Sequence, residues 1–280
     1  MSGGAAMVEV QEVGQVLGLG LVATAPVAAG ATIIEEEPLW TVSIEKIFSD
    51  HAFLQRRDVQ AIVNAVAAGD AAPERANALM RLYAGHALSR LDDDVKAKVW
   101  RLADSIRDAQ SGDRCLVSVG VEEDEFAGRF GDVVDVSDDG DERAICKVRI
   151  DGEEHNFPRW RLKTARGLWR TNAVEFQGVG RVYERLSRVN HACGRGANCE
   201  RVFDGERCAL IATRSVKAGG ELLLDYGDES ERLLPSQTRR DRLFRAYGFA
   251  CLCDSCRAAY ADFDAAELVN GDELRSVKSI

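Results

Sequence analysis

The chain has 280 residues, eight of them cysteine, and 36 Lys and Arg stand against 46 Asp and Glu for a net charge of −10. Its 46% apolar and 29% charged content is that of a globular protein and excludes wholesale disorder; at roughly 150 residues per domain, the length predicts about two domains or one domain with insertions. Residues 122–142 hold ten acidic side chains and one basic one, Arg129, so that window carries −9 and the other 259 residues only −1. The totals therefore offer no basic face for nucleic acid.

In chain order, residues 8–10 and 17–24 read as β-rich pieces. Ala29-Gly30 marks a turn before a third piece at 32–36. Gly18 and Gly20 frame a bend where backbone can approach a ligand closely. The stretch 16–34 has no charge over 19 positions, yet it is not read as a membrane span or signal peptide. Glu9 and Glu12 precede it, the first basic residue is Lys46, and Gly18, Gly20, Pro26 and Gly30 interrupt it. The expectation is an intracellular protein of nucleus and/or cytoplasm, with no membrane partner, whose cysteines are free or metal-bound.

Residues 44–110 follow helical spacing through Ile44, Ile47, Phe48, Leu54, Val59, Ile62, Val63 and Val66. Asp70 to Pro73 breaks the run, and Pro73 suits a first helical turn. Asp92 is placed to cap a third helix, with Val95, Val99, Leu102 and Ile106 on one face. Residues 126–163 read as a small Tudor-like β unit with a hairpin at Asp151-Gly152. Its aromatics Phe126, Phe130, Phe157 and Trp160 form either its core, the preferred reading, or a cage for a methylated lysine. Strands follow at 207–213 and 222–226. Ser236 is placed to cap a helix through about Tyr247, with Gly248 as its stop. The tail after Asp262 has little pattern.

Cys251, Cys253 and Cys256 put three thiols within six residues. Zinc takes four tetrahedral ligands and favours thiolate, so this tripod lacks one. From the residues alone the fourth is Cys193, Cys199, Cys208 or His191, while Cys115 and Cys146 are isolated and read as structural.

Three further pieces line up with that tripod: Gly18-Leu19-Gly20-Leu21 with Gly30 and Glu36-Glu37-Pro38; Asn190-His191-Ala192-Cys193; and Gly220-Glu221 leading to Asp225-Tyr226. Together they resemble the SET-domain protein-lysine methyltransferases, closest to the SET-and-MYND branch. The resemblance covers residues 16–40 and 167–257. It implies an α+β, β-rich SET fold with knot-like threading of the Asn190 and Tyr226 segments. On it, residues 8–40 and 167–249 are the SET core. Residues 41–114 are a helical insertion and 115–166 the small β insertion. Residues 250–262 are a post-SET zinc segment and 263–280 a tail.

The resemblance also implies site residues. S-adenosylmethionine contacts fall on Gly18, Leu19, Gly20, Asn172, Asn190, His191, Tyr226 and Phe249. Tyr247 and Phe249 line the lysine channel, and Tyr226 is the catalytic residue. Cys193 completes a structural zinc site with Cys251, Cys253 and Cys256. The chain departs from the family in three places, one being the small β insertion at 126–163, which is not a general family feature. Residues 41–114 contain no cysteine and so no MYND finger, and the loop Gly194-Arg195-Gly196-Ala197 before Asn198 is longer and lacks proline.

The chemistry suits those residue types. The donor is a sulfonium, and the acceptor is a lysine amine that must be neutral to attack. With a free pKa near 10.4, about one lysine in ~1,000 is neutral at pH 7.4, a cost of roughly 4 kcal/mol. An apolar, aromatic channel disfavours the ammonium by desolvation. Tyr226 then orients the reactants, and most of the acceleration is alignment. The partner is a lysine-bearing protein, with no direct nucleic-acid binding, and the acidic segment 122–142 is placed to attract a basic substrate. The rival reading is a catalytically inactive, zinc-stapled SET-fold interaction module, motivated by the altered loop after Cys193. A zinc-binding nucleic-acid module, drawing on Arg239, Arg240, Arg242 and Arg245, is a third.

Overall fold

Alternating burial sets the main sheet. Along Arg207–Ala212, Cys208, Leu210 and Ala212 turn inward while the residues between them do not, the period-2 signature of a half-buried strand. This strand pairs antiparallel with Cys199–Asp204 on one side and Thr32–Glu36 on the other. Leu223–Leu224 extends the sheet and pairs in parallel with Asn190–His191. That parallel pair brings together two segments over thirty residues apart, each carrying predicted site residues.

The computed structural model describes residues 8–13, 18–68, 73–104, 109–118, 125–137, 144–227 and 229–257. The chain divides into two units, one of Met1–Pro38 with Tyr183–Ile280 and one of Leu39–Val182. The first holds the sheet just described and an antiparallel pair, Val8–Glu12 with Leu19–Ala23. Leu21, Val27, Ile34, Tyr183, Leu210 and Leu222 are among its core residues. Burying each such side chain contributes on the order of 2 kcal/mol.

The second unit combines helices with two sheets. The near-continuous helical pattern over 44–66 is broken into Ile44–Ser49, His51–Leu54 and Arg57–Ala67. Asp50 makes the first break: its backbone leaves the helical region, and its carboxylate accepts the Phe53 N–H at 3.0 Å. Pro73 opens the helix Pro73–Ser89, as its fixed φ favours. The helix after Asp92 ends at Trp100, short of Leu102 and Ile106. Leu102 is nonetheless buried, and 105–108 lie outside the described residues.

A five-stranded antiparallel sheet of Glu153–Pro158, Ile145–Ile150, Phe130–Val136, Arg114–Val117 and Leu162–Thr164 forms the β part. Its hairpin turns at Asp151 and Gly152, both at positive φ, as a tight turn of this kind requires. The aromatics divide. Phe157 is core and Phe126 packs on it at 5.4 Å, whereas Phe130 packs edge-on against Trp100 at 5.2 Å. Much of the acidic window (122–124 and 138–142) and the tail beyond 257 lie outside the described residues. Among the described residues no helix is long and apolar enough to cross a membrane.

Candidate active site and metal centre

Four thiols converge in the first unit. The sulfurs of Cys193, Cys251, Cys253 and Cys256 all lie within 4.8 Å of one another. Cys193 Sγ is 3.8 Å from Cys251 Sγ and 3.7 Å from Cys256 Sγ. Four thiolates around zinc at about 2.3 Å have a tetrahedral edge of about 3.8 Å, so this donor set fits zinc. Of the four candidates for the missing ligand, Cys193 is the one in the cluster. Cys199 and Cys208 sit in strands and turn into the core.

Charge within the cluster is uneven. The Cys251 thiol hydrogen-bonds Cys193 and, against the cost of burial and with help from His191 and Arg239, brings the Cys193 pKa down to about 3. The same bond pushes the donor Cys251 up, and burial pushes Cys256 up to about 11. Cys193 and Cys256, beside the Arg239 guanidinium on the helix Ser236–Tyr247, hold its pKa up against the cost of burial. That helix ends where predicted, but Ser236 is its first residue rather than its cap, which is Pro235. Gly248 takes φ +74, its N–H returns to Phe244 O at 2.8 Å, and the chain turns back into Phe249 and the cysteines.

Aromatic rings gather beside the cluster. Tyr226 lies 4.9 Å from Tyr247 and 6.2 Å from Phe249 between ring centroids, and His191 lies 5.1 Å from Tyr226 and 5.9 Å from Phe249. The Tyr226 hydroxyl donates to Val189 O at 2.6 Å, and burial raises its pKa. It therefore stays a neutral phenol. A cavity of about 250 Å³ opens here, walled by Tyr226, Tyr247, Leu243, Asp225, Glu231 and Arg239 among others.

The glycine segment closes against Asn190. The Asn190 amide donates to Glu221 Oε1 at 2.8 Å and to Leu19 O at 3.4 Å. A Cβ on Gly20 would lie 2.7 Å from Glu221 Oε1 and 2.8 Å from Asn190 Nδ2, so only hydrogen fits there. Gly18 has φ +66, a conformation glycine takes without strain. Of the predicted cofactor and substrate residues, Gly18, Leu19, Gly20, Asn190, His191, Tyr226, Tyr247 and Phe249 belong to this unit, and Asn172 to the other. Asn172 is buried, and its amide donates to Ala103 O and Leu168 O.

A family model described as "SET domain" matches residues 18–227, three quarters of the chain. The chain belongs to the SET-domain family. The histone-lysine N-methyltransferase SMYD3 of Mus musculus is 38% identical over 96 residues, 34% of this chain and 20% of its own length. The SET domain and MYND-type zinc finger protein 6 of Schizosaccharomyces pombe is 35% identical over 71 residues, 25% of this chain and 14% of its own. The matches thus span a fifth or less of these curated relatives' length. A crystal structure of the SET domain of LSMT bound to lysine and AdoHcy is similar at TM-score 0.38 and 12% identity, covering 89% of this chain and 54% of that one. A likeness of that size sets no residue-by-residue correspondence.

Several groups around this SET-domain site went unread in the sequence. Asn198 stands in for a missing strand partner, its amide bonding Glu221 O and Leu223 N–H, each at 2.8 Å. Asp225 accepts Gly194 N–H at 2.7 Å and Arg232 Nε at 3.0 Å. Arg214 donates to Arg195 O and Gly196 O, two adjacent carbonyls in the middle of the lengthened loop. Asn198 and Asp225 stand inside the motifs already singled out. No local pattern marks Arg214.

Proposed function

We propose that this chain is an S-adenosylmethionine-dependent protein-lysine N-methyltransferase. The observation that carries the reading is the cage of Tyr226, Tyr247, Phe249 and His191, built on the strand pair of a SET domain and backed by four thiols. The residues fit the donor: ring faces attract a sulfonium or ammonium ion, and Tyr226 and Tyr247 both wall the cavity. When bound, S-adenosylmethionine supplies an electrophilic methyl group.

In this reading Gly18, Leu19, Gly20, Asn190, His191 and Phe249 hold the cofactor. Tyr247 and Phe249 line the channel for the lysine side chain. Desolvation among the rings disfavours the ammonium form of the incoming lysine. Tyr226, held neutral and fixed at its hydroxyl by Val189 O, orients the amine rather than removing its proton. Zinc on Cys193, Cys251, Cys253 and Cys256 supplies a cross-link that keeps Tyr247 and Phe249 in place. The core is 8–40 with 167–249, and 41–114 and 115–166 are insertions in it. The partner is a lysine-bearing protein inside the cell.

The test is transfer of labelled methyl from S-adenosylmethionine to a panel of lysine-bearing proteins, with wild type and Tyr226→Phe. Loss of transfer in the variant with cofactor binding kept supports the roles; equal transfer by both overturns the role of Tyr226. Absence of cofactor binding in zinc-loaded wild type selects the rival, non-enzymatic module.

A further inference from the structure

We infer that His191 is a positioning residue that ties the four-cysteine cluster to the backbone of Tyr226, so that the metal site sets the seat of the proposed catalytic tyrosine. The kinetic consequence rests on the methyltransferase reading; the geometry does not.

The His191 side chain is 2% exposed, and both ring nitrogens are engaged. Nε2 lies 3.1 Å from Cys193 Sγ. Nδ1 lies 3.0 Å from the backbone nitrogen of Tyr226. A backbone N–H only donates, so Nδ1 is the acceptor and carries no proton. The ring proton is therefore assigned to Nε2, where it points at the sulfur. Asp225 Oδ1 is 3.9 Å from Nδ1, beyond hydrogen-bond reach, and its carboxylate is taken by Gly194, Gly227 and Arg232. The result is one line of bonds from sulfur through imidazole to the Tyr226 amide.

A thiolate bound to a metal accepts that proton better than a thiol, which brings a hydrogen of its own. Cys193 as the thiolate, the form that binds zinc, thus strengthens the first bond and, through the ring's polarisation, the second. Tyr226 is then held at two points, by His191 at its amide and by Val189 O at its hydroxyl. Both points belong to 189–191, the segment that delivers Cys193. Removing the link moves the phenol without deleting it, and alignment is where such a reaction is most sensitive.

Two substitutions separate the two ends of the imidazole. His191→Asn places an amide oxygen near the Nδ1 position and loses the group facing Cys193. His191→Gln reaches the Nε2 position and loses the acceptor for Tyr226. Zinc release to a chelator, hydrogen exchange at the Tyr226 amide, and kcat and KM are measured on the full zinc-loaded chain. The expected result is divergence. His191→Asn releases zinc roughly 10- to 100-fold more readily and keeps the Tyr226 amide the better protected. His191→Gln retains zinc the better, exchanges the Tyr226 amide about tenfold faster, and lowers kcat more than it changes KM for the cofactor. Identical behaviour of the two variants in zinc release and amide exchange overturns the inference and leaves His191 as packing.

A measurement on wild type stands if neither variant folds. The chain has four histidines, and nitrogen-15 shifts of the zinc-loaded protein report each tautomer. A neutral His191 protonated on Nε2 supports the link; an Nδ1–H tautomer or an imidazolium overturns it. Wild type that transfers no methyl group would sink the proposed function, whereas the tautomer and the amide exchange would still decide this inference.

Discussion

The four clustered cysteines of the first unit and the two cysteines of the second meet opposite fates. In the first, Cys193 and the tripod converge within 4.8 Å, with His191 in reach of Cys193 Sγ and the Arg239 guanidinium beside the cluster. In the second, Cys115 and Cys146 are wholly buried among Val117, Val133, Val148 and Ile150. Burial pushes the Cys115 thiol up to about 12, and Cys146 also rises. The residue type is the same; the donors around it decide whether it is a ligand or a small hydrophobe. Thiolates need partners that favour their charge, and the sheet around Cys115 offers it chiefly apolar walls.

The sharpest way to break this contrast is Cys251→Ser. Structural zinc contributes on the order of 10 kcal/mol to such a segment, so the variant is expected to lose stoichiometric zinc and the order of residues 247–257, read by metal quantification and by proteolysis. Cys115→Ser, by contrast, is expected to keep full zinc and cost about 1–3 kcal/mol through its buried hydroxyl, read by denaturant unfolding. Equal zinc loss in both would abolish the distinction. Next in size, Tyr226→Phe is expected to cut methyl transfer by about 10²-fold with cofactor affinity kept, because it frees one of the two anchors of the ring.

A pH profile sharpens the other side. The Cys115 thiol titrates above its ordinary value, so the folded chain keeps its proton after the unfolded chain has lost it. Stability from this group is full below about 9 and falls as pH rises toward about 12. Cys115→Ala is expected to flatten that alkaline limb in thermal unfolding. The smallest effect is at Asp50. Asp50→Ala removes the cap on Phe53 N–H and is expected to cost about 1 kcal/mol with zinc content unchanged.

Much of the site was legible because its signals are local. Three thiols in six residues, a glycine where the last helix must stop, and Asp151-Gly152 at a hairpin each act through near neighbours. The fourth ligand was not legible from residues alone. Nothing local separates Cys193, Cys199, Cys208 and His191; the fold brings only Cys193 of the four into the thiol cluster. His191 could be flagged but not understood, since its partners are a sulfur two residues on and an amide 35 residues away. In the helical region, periodicity over 44–66 hid the break at Asp50, because a cap competes with helix propagation without disturbing the apolar stripe.

The central claim is that the thiol-backed ring cage is a cofactor-dependent methyl-transfer site. One measurement tests it most directly: calorimetric titration of S-adenosylmethionine into the full chain with zinc quantified on the same sample. The account predicts one zinc per chain and saturable cofactor binding that disappears when Cys251→Ser removes the metal. Stoichiometric zinc with no cofactor binding would contradict it.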